Sequence, residues 1–311
     1  MTPYTPVMVE EPPVAGARAV PVSPRYDLLW LAVGTVLVTA MSFAFRQWGA
    51  GGHLAPPLDD TFIHFQYARQ MAAGHPFEYN TGDPPSSGAS SFIYPFLLAP
   101  AFLLGLDGQK PLLFADLLNF LAHLGSVALL YGLASRLGGR PLGLFASVLF
   151  LLDGRLNYIF LSGMETGLFT FSLIAFFWLL SRGAGVERFV WLAVVGSLAA
   201  LLRPEGHIIM SVLCVVALVF AWRGAGRLRL RHLWLVVPVL AGLIPYFANL
   251  LMTGQLQFNT AASKSIWYLP YAPFYENLSL TAGWAITEVK NTFLGLEIGR
   301  APFPLLALPI A

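Results

Sequence analysis

Charge is what this sequence has least of. Only 11% of its 311 residues are Asp, Glu, Lys or Arg, against 57% hydrophobic, and the mean hydropathy is +0.67. Soluble domains carry about 25% charged residues. A chain this poor in charge cannot coat a water-facing surface, so lipid must cover most of it. Cysteine is nearly absent too. Cys214 stands alone, which excludes an internal disulfide and any cysteine-based zinc site, and its apolar surroundings make it a small buried hydrophobe. No internal repeat is visible, which weakens a transporter built from two related halves. The net charge is only +2 and no nucleic-acid partner is expected.

What is there is a series of apolar runs. Residues 1–25 are Pro-rich without helical period and are expected to form a disordered cytoplasmic tail; residues 26–311 form the membrane domain. A span needs roughly 20 apolar residues, and candidate runs cover 27–46, 91–106, 112–135, 141–160, 165–181, 189–202, 206–222 and 233–252. Arginines sit in the gaps: Arg18 and Arg25, Arg136 and Arg140, Arg182 and Arg188, then Arg223, Arg227, Arg229 and Arg231. Short basic loops stay in the cytoplasm. All four groups fall on that side only if 91–106 does not span. That segment is short and broken by Pro95 and Pro100, which suits helices lying at the membrane surface.

The expectation is therefore an all-α, polytopic transmembrane bundle of seven spans, with the N-terminus inside and juxtamembrane helices in a first outer loop, 47–111. A last outer loop covers 253–300. The acids follow these loops: Asp59, Asp60, Glu78, Asp83, Asp107, Glu165, Glu205 and Glu276 all fall outside. The terminal PFPLLALPIA opens another apolar run of ten residues, too short to span, so the chain is expected to be a fragment.

The first outer loop carries the densest chemistry, LDDTFIHFQYARQMAAGHPFEYNTGDPPSSGASSFIYPF. Asp59 and Asp60 precede a helical stretch. Adjacent carboxylates can deprotonate a hydroxyl or offer hard oxygens to a divalent cation such as magnesium, manganese or calcium. Either can also simply cap the helix. Within the span at 112–135, Asp116, Asn119, His123 and Ser126 are spaced 3, 4 and 3, one stripe on one helix face. Charge in a membrane is costly, so this stripe should face protein or water. Interhelical hydrogen bonding and a direct role for Asp116 in substrate binding both remain open.

The acid pair, the FIHFQYARQMAAGHPF helix and the SSGASSFIYP turn, followed by SGMETGLF, LLRPEG and TGQLQFNTAASKS, resemble the GT-C superfamily of glycosyltransferases. That family includes protein O-mannosyltransferases, aminoarabinose transferases and arabinofuranosyltransferases, and the resemblance covers residues 27 to about 270. It implies a multispan enzyme that takes a sugar from a polyprenyl-phosphate donor and passes it to a glycan, lipid or protein acceptor on the outer face of the cytoplasmic membrane. It also implies that an acid of the first-loop pair is the general base. Matching the helix through Arg69, Met71 and Gly74 favours Asp60 over Asp59, although relatives often carry DE where this chain has DD. Glu165 matches a second outer-loop acid, with capping of the following span as its plainer role. Some relatives need a divalent cation and others do not.

A lipid phosphate leaves without protonation, so one base suffices, together with positive charge for the departing group. Attack from the opposite face inverts the anomeric centre. Outer cations available for the phosphate are Arg69, Lys110, Arg155, Arg203 and Lys264, with His75 and His207 behind them; His64 is a further substrate-binding candidate. Arg203 is preferred because Arg203-Pro204-Glu205-Gly206 makes a tight turn between two spans; an Arg203–Glu205 pair or interfacial snorkelling is the alternative. The rival functions are a transporter or flippase for a lipid or solute, and an inactive scaffold.

Overall fold

A computed structural model describes residues 24–182, 185–225 and 228–256, with short pieces between 275 and 286. The described residues contain helices and no strand: α1 (Pro24–Gly49), α2 (Asp60–Ala72), α3 (Tyr94–Leu103), α4 (Pro111–Leu152), α5 (Gly154–Phe160), α6 (Thr166–Leu180), α7 (Val186–Leu202), α8 (Pro204–Ala225), a 3₁₀ turn (Leu230–Val236) and α9 (Val237–Thr253). Four stretches are long and apolar enough to cross a membrane: Arg25–Gly49, Pro111–Leu152, Pro204–Arg223 and Leu230–Thr253.

The distribution of side chains on α1 shows what surrounds the bundle. Asp27, Leu31, Thr35 and Ser42 are buried against the rest of the protein, whereas Leu29, Trp30, Val36, Leu37 and Met41 point outward. A soluble helix hides its apolar stripe. Here the hidden stripe is the more polar one, the arrangement that a lipid surround favours.

Helix α4 is a hairpin rather than a rod. Gly138 and Gly139 leave helical geometry, and Gly139 adopts φ +77°, which lets the chain reverse. The returning arm packs on the first, with Ser147 Oγ donating to the Val127 carbonyl at 3.4 Å and Leu151 clustering with Val127, Tyr131 and Leu31. Charged groups fasten this reversal. Arg140 donates to both oxygens of Asp27 at 2.6 and 2.8 Å, Tyr131 donates to the same carboxylate at 2.7 Å, and Arg136 donates to the Ser181 carbonyl at 3.0 Å.

The expected continuous run 141–160 needs correction. The helix stops at Leu152, and Asp153 then caps α5 by accepting from the N–H groups of Arg155 and Leu156 at 2.9 and 3.1 Å. A side-chain acceptor at that point satisfies the first N–H groups of a new helix and ends the old one. The ten-residue α3, with Pro100 inside, is about 15 Å long, half the ~30 Å of a bilayer core. It packs with α2 across the same end of the bundle.

The main core joins Phe65, Tyr94 and Leu98 of the α2–α3 layer to Leu112, Phe169, Phe176, Ala199, Leu202 and Met210 of the long helices. This core seats α2 and α3 over the turns that follow α5 and α7.

Candidate functional site

Residues 161–165, between α5 and α6, are the hub of that end. Four successive carbonyls each accept a hydrogen bond from a side chain on a different helix. Leu161 accepts from Arg46 of α1 at 2.7 Å, Ser162 from Thr61 of α2 at 2.8 Å, Gly163 from Tyr94 of α3 at 2.8 Å, and Met164 from Asn119 of α4 at 3.1 Å. All five loop residues are buried. Buried carbonyls must be paired, and here that requirement forces four helices to converge on five residues. Gly163 adopts φ +75°, and a Cβ there would meet Thr61 Cγ2 at 2.7 Å and Leu112 Cδ1 at 2.9 Å. Burial and the nearby Glu165 charge push the Tyr94 phenol above its usual pKa, so it stays protonated and donates.

The loop presents Glu165. Helix α6 begins at Thr166, so this carboxylate precedes the helix, and it has no exposed surface. Arg203 donates to Glu165 Oε1 at 3.1 Å and to Thr166 Oγ1 at 3.0 Å. His64 Nε2 approaches Oε2 at 3.3 Å, off the line of a hydrogen bond. Burial alone would raise the Glu165 pKa, but His64 and Arg203 outweigh it and hold the carboxyl below its ordinary value. His64 Nε2 also lies 3.2 Å from Ser90 Oγ. A nucleophilic serine relay uses both ring nitrogens, one for serine and one for the acid. Here one nitrogen faces both partners, so this trio is not such a relay.

Beside Arg203 a cleft opens, with about 570 Å³ of empty space including its mouth. One wall is Tyr67 and Met71 of α2 with the serine-rich turn, including Ser86, Ser87, Ser90 and Ser91. The facing wall is Arg203, Pro204 and His207 at the α7–α8 turn, with Gly242, Pro245, Tyr246 and Met252 of α9. Tyr67 braces the serine-rich turn, with its hydroxyl 2.6 Å from Ser86 Oγ and accepting from the Gly88 N–H at 3.1 Å. The cleft is thus largely apolar on the α9 side apart from Tyr246, carries the serine hydroxyls opposite, and has a guanidinium between.

The expected residues divide clearly. Asp59 is the N-cap of α2 and accepts from the Asp60 N–H at 2.9 Å, with its side chain exposed. Asp60 is half-buried as the first residue of α2. Neither lines the cleft, yet Asp60, His64, Tyr67 and Met71 fall on one helix face, so the acid stands roughly 10 Å along the axis from the cleft-lining tyrosine. Arg69 is exposed on another face of α2 and is not brought to the cleft, because the buried face already belongs to Ala68 and Phe65. Lys110 pairs with Asp107 at 3.5 Å and His75 with Glu78 at 3.6 Å, both away from the cleft. Lys264 lies outside the described residues. Arg203 also meets Glu205 at 3.4 Å, so the expected pair exists, although Glu205 is mostly exposed.

Asp116 is bound to Arg46 by two contacts, at 2.9 and 2.5 Å, and both groups are about 90% buried. Of the two roles open to Asp116, interhelical pairing is the one its contacts display. Asn119 holds the loop, His123 stacks on Phe160 at 4.3 Å, and Ser126 bonds back to Ala122. Among the described residues no group of three or more His, Cys, Asp or Glu side chains converges as a metal site; Asp59 and Asp60 supply two carboxylates.

Sequence reasoning missed Arg46, Thr61 and Tyr94. Arg46 had a signal, as a cation that, like Arg203, closes an apolar run on the acidic side. Thr61 and Tyr94 had none, because hydroxyls that bond to distant carbonyls leave no local pattern. Comparison with protein-family models, curated proteins and solved structures finds no match for this chain.

Proposed function

We propose that this chain is an inverting glycosyltransferase that moves a sugar from a polyprenyl-phosphate donor to an acceptor hydroxyl at the outer face of the cytoplasmic membrane. The observation that carries the reading is the meeting, around one buried loop, of segments remote in sequence. The acid-pair helix, the serine-rich turn, the SGMET loop and the Arg203 turn share one end of the bundle beside one cleft. The opposite end gathers Arg136, Arg140, Arg182 and Arg188, which by the positive-inside rule belongs in the cytoplasm.

In this reading the polyprenyl chain lies along the apolar α9 wall and its phosphate meets Arg203. Glu165 and Thr166 take one edge of the guanidinium. The edge toward Glu205 is held only by 3.4 Å contacts to an exposed side chain, so an incoming phosphate can displace them. Asp60 takes the proton of the acceptor hydroxyl, whose oxygen bonds to the anomeric carbon as the sugar–phosphate bond breaks. The electron pair leaves with the lipid phosphate. Asp60, which shares a helix face with the cleft-lining Tyr67 and Met71, is the stronger choice of base. The pair also offers oxygens to magnesium, manganese or calcium.

Sugar transfer from synthetic polyprenyl-phosphate sugars, by the full chain in liposomes, tests this reading. Asp60→Asn should abolish transfer with folding intact, while Asp59→Asn should reduce it less. A chelator titration in the same assay decides cation dependence. Lipid or solute flux without transfer would replace the enzyme by the transporter reading.

A further inference from the structure

The end of the bundle away from the cleft carries a second concentration of charge, mostly positive. Arg188 opens α7 and Arg231 lies in the 3₁₀ turn, yet their guanidinium carbons sit 4.8 and 5.7 Å from the centroid of one ring, Phe189. That ring is buried, and buried His232 meets it edge-on at 5.0 Å. The backbone N–H of Arg229 donates to His232 Nδ1 at 2.9 Å, which fixes the turn beneath the two arginines. Arg188 also donates to the Arg182 carbonyl at the end of α6. Glu187, the acid of this corner, is exposed.

Two arginines from separate elements are therefore brought to one aromatic plate and oriented there. Planar guanidinium forks in this arrangement match a phosphate bidentately, as lysines would not. The rim around them is apolar and outward-facing: Leu230 is 83% exposed, Trp191 and Leu233 58%, and Trp234 41%. Tryptophan favours the headgroup level of a bilayer. A soluble anion would gain nothing from such a rim, whereas acyl chains would cover it.

We propose that the start of α7 and the 3₁₀ turn form a binding site for an anionic phospholipid. Its phosphate lies between Arg188 and Arg231 and its acyl chains lie against Trp191, Leu230, Leu233 and Trp234. The site is separate from the cleft and does not depend on the glycosyltransferase reading.

The test is native mass spectrometry of the full chain released from micelles holding equal amounts of phosphatidylglycerol and phosphatidylcholine. Wild type should retain phosphatidylglycerol roughly tenfold or more over phosphatidylcholine, on the usual attraction of two arginines near an anionic surface. The Arg188→Gln/Arg231→Gln variant should lose that preference. Should that variant fail to fold, brominated lipids decide on folded protein. Brominated phosphatidylglycerol should quench wild-type tryptophan emission more than brominated phosphatidylcholine, and the excess should vanish in Trp191→Phe/Trp234→Phe. Equal retention of both lipids, or a preference that survives removal of both arginines, overturns the proposal. Displacement of the lipid by millimolar inorganic phosphate would mark a soluble-anion site and overturn it as well.

Discussion

Replacing Arg46 by Met leaves the Asp116 carboxylate buried without its cation and takes the donor from the Leu161 carbonyl. The pair is bidentate and both side chains are about 90% buried. Breaking a buried pair from one side costs about 3–5 kcal/mol, because an uncompensated charge remains. Asp116→Leu should cost a similar amount by stranding Arg46. In Arg46→Met/Asp116→Leu no charge is stranded, and exchange of a buried pair for apolar groups is close to neutral. What remains is the unpaired Leu161 carbonyl, about 1–3 kcal/mol. The single costs thus sum to roughly 6–10 kcal/mol against roughly 1–3 for the double, a coupling of about 3 kcal/mol or more. Unfolding by SDS titration in mixed micelles measures all four corners of the cycle. Additive losses, or a harmless Arg46→Met, would refute the pairing. Transfer activity adds a second readout: the double variant should regain part of it. A stable double variant without any transfer would return Asp116 to a direct role in the reaction.

Three further outcomes follow from the site. Gly163→Ala places a Cβ against Thr61 and Leu112 at a positive φ; the backbone strain alone costs of order 1–3 kcal/mol. Transfer should fall with stability in that variant, and an unperturbed SDS midpoint would contradict the loop's packing. Glu205→Gln removes the exposed competitor for the outer edge of Arg203, so the donor KM should fall a few-fold, to the extent of a surface ion pair of about 0–1 kcal/mol, with the SDS midpoint unchanged; a raised KM would mean that Glu205 binds substrate. For pH the sign follows from a depressed folded pKa. The contribution of Glu165 is complete above its ordinary value of 4.5 and is lost as pH falls through the lower folded value. The stability difference between wild type and Glu165→Gln should stay flat at neutral pH and shrink below about 4.5; a difference that grew on acidification would reverse the assignment.

Much of the helical framework follows from apolar periodicity and from where arginine is permitted. The runs 206–222 and 233–252 lie within α8 and within the 3₁₀ turn plus α9, whose ends are set by Pro204 and the positive-φ Gly254. The run 141–160 misled because averaging hydropathy over twenty residues hides one aspartate. Asp153-Gly154 is a local cap signal, and a short polar acceptor decides a helix boundary more strongly than its neighbours' hydropathy. The site was legible in part. Asp116, Asn119 and Ser126 announced a buried polar stripe by spacing alone, and Glu165 and Arg203 stood out as charges beside apolar runs. Their partners were not legible, since the contacts Arg46–Leu161, Thr61–Ser162 and Tyr94–Gly163 span 69 to 115 residues.

The charges of the site constrain how it can work. Arg203 looks from sequence like the cation that neutralises a leaving phosphate, but the structure supplies it with Glu165 beneath and Glu205 beside. A second carboxylate against one guanidinium would repel a phosphate rather than draw it. Burial separates the two acids: Glu205 is 61% exposed and can turn into water, leaving the buried Glu165 paired with Arg203. A balanced pair orients a phosphate through the outer edge of the guanidinium without adding net attraction, so the positive charge that draws the donor must come from elsewhere in the chain.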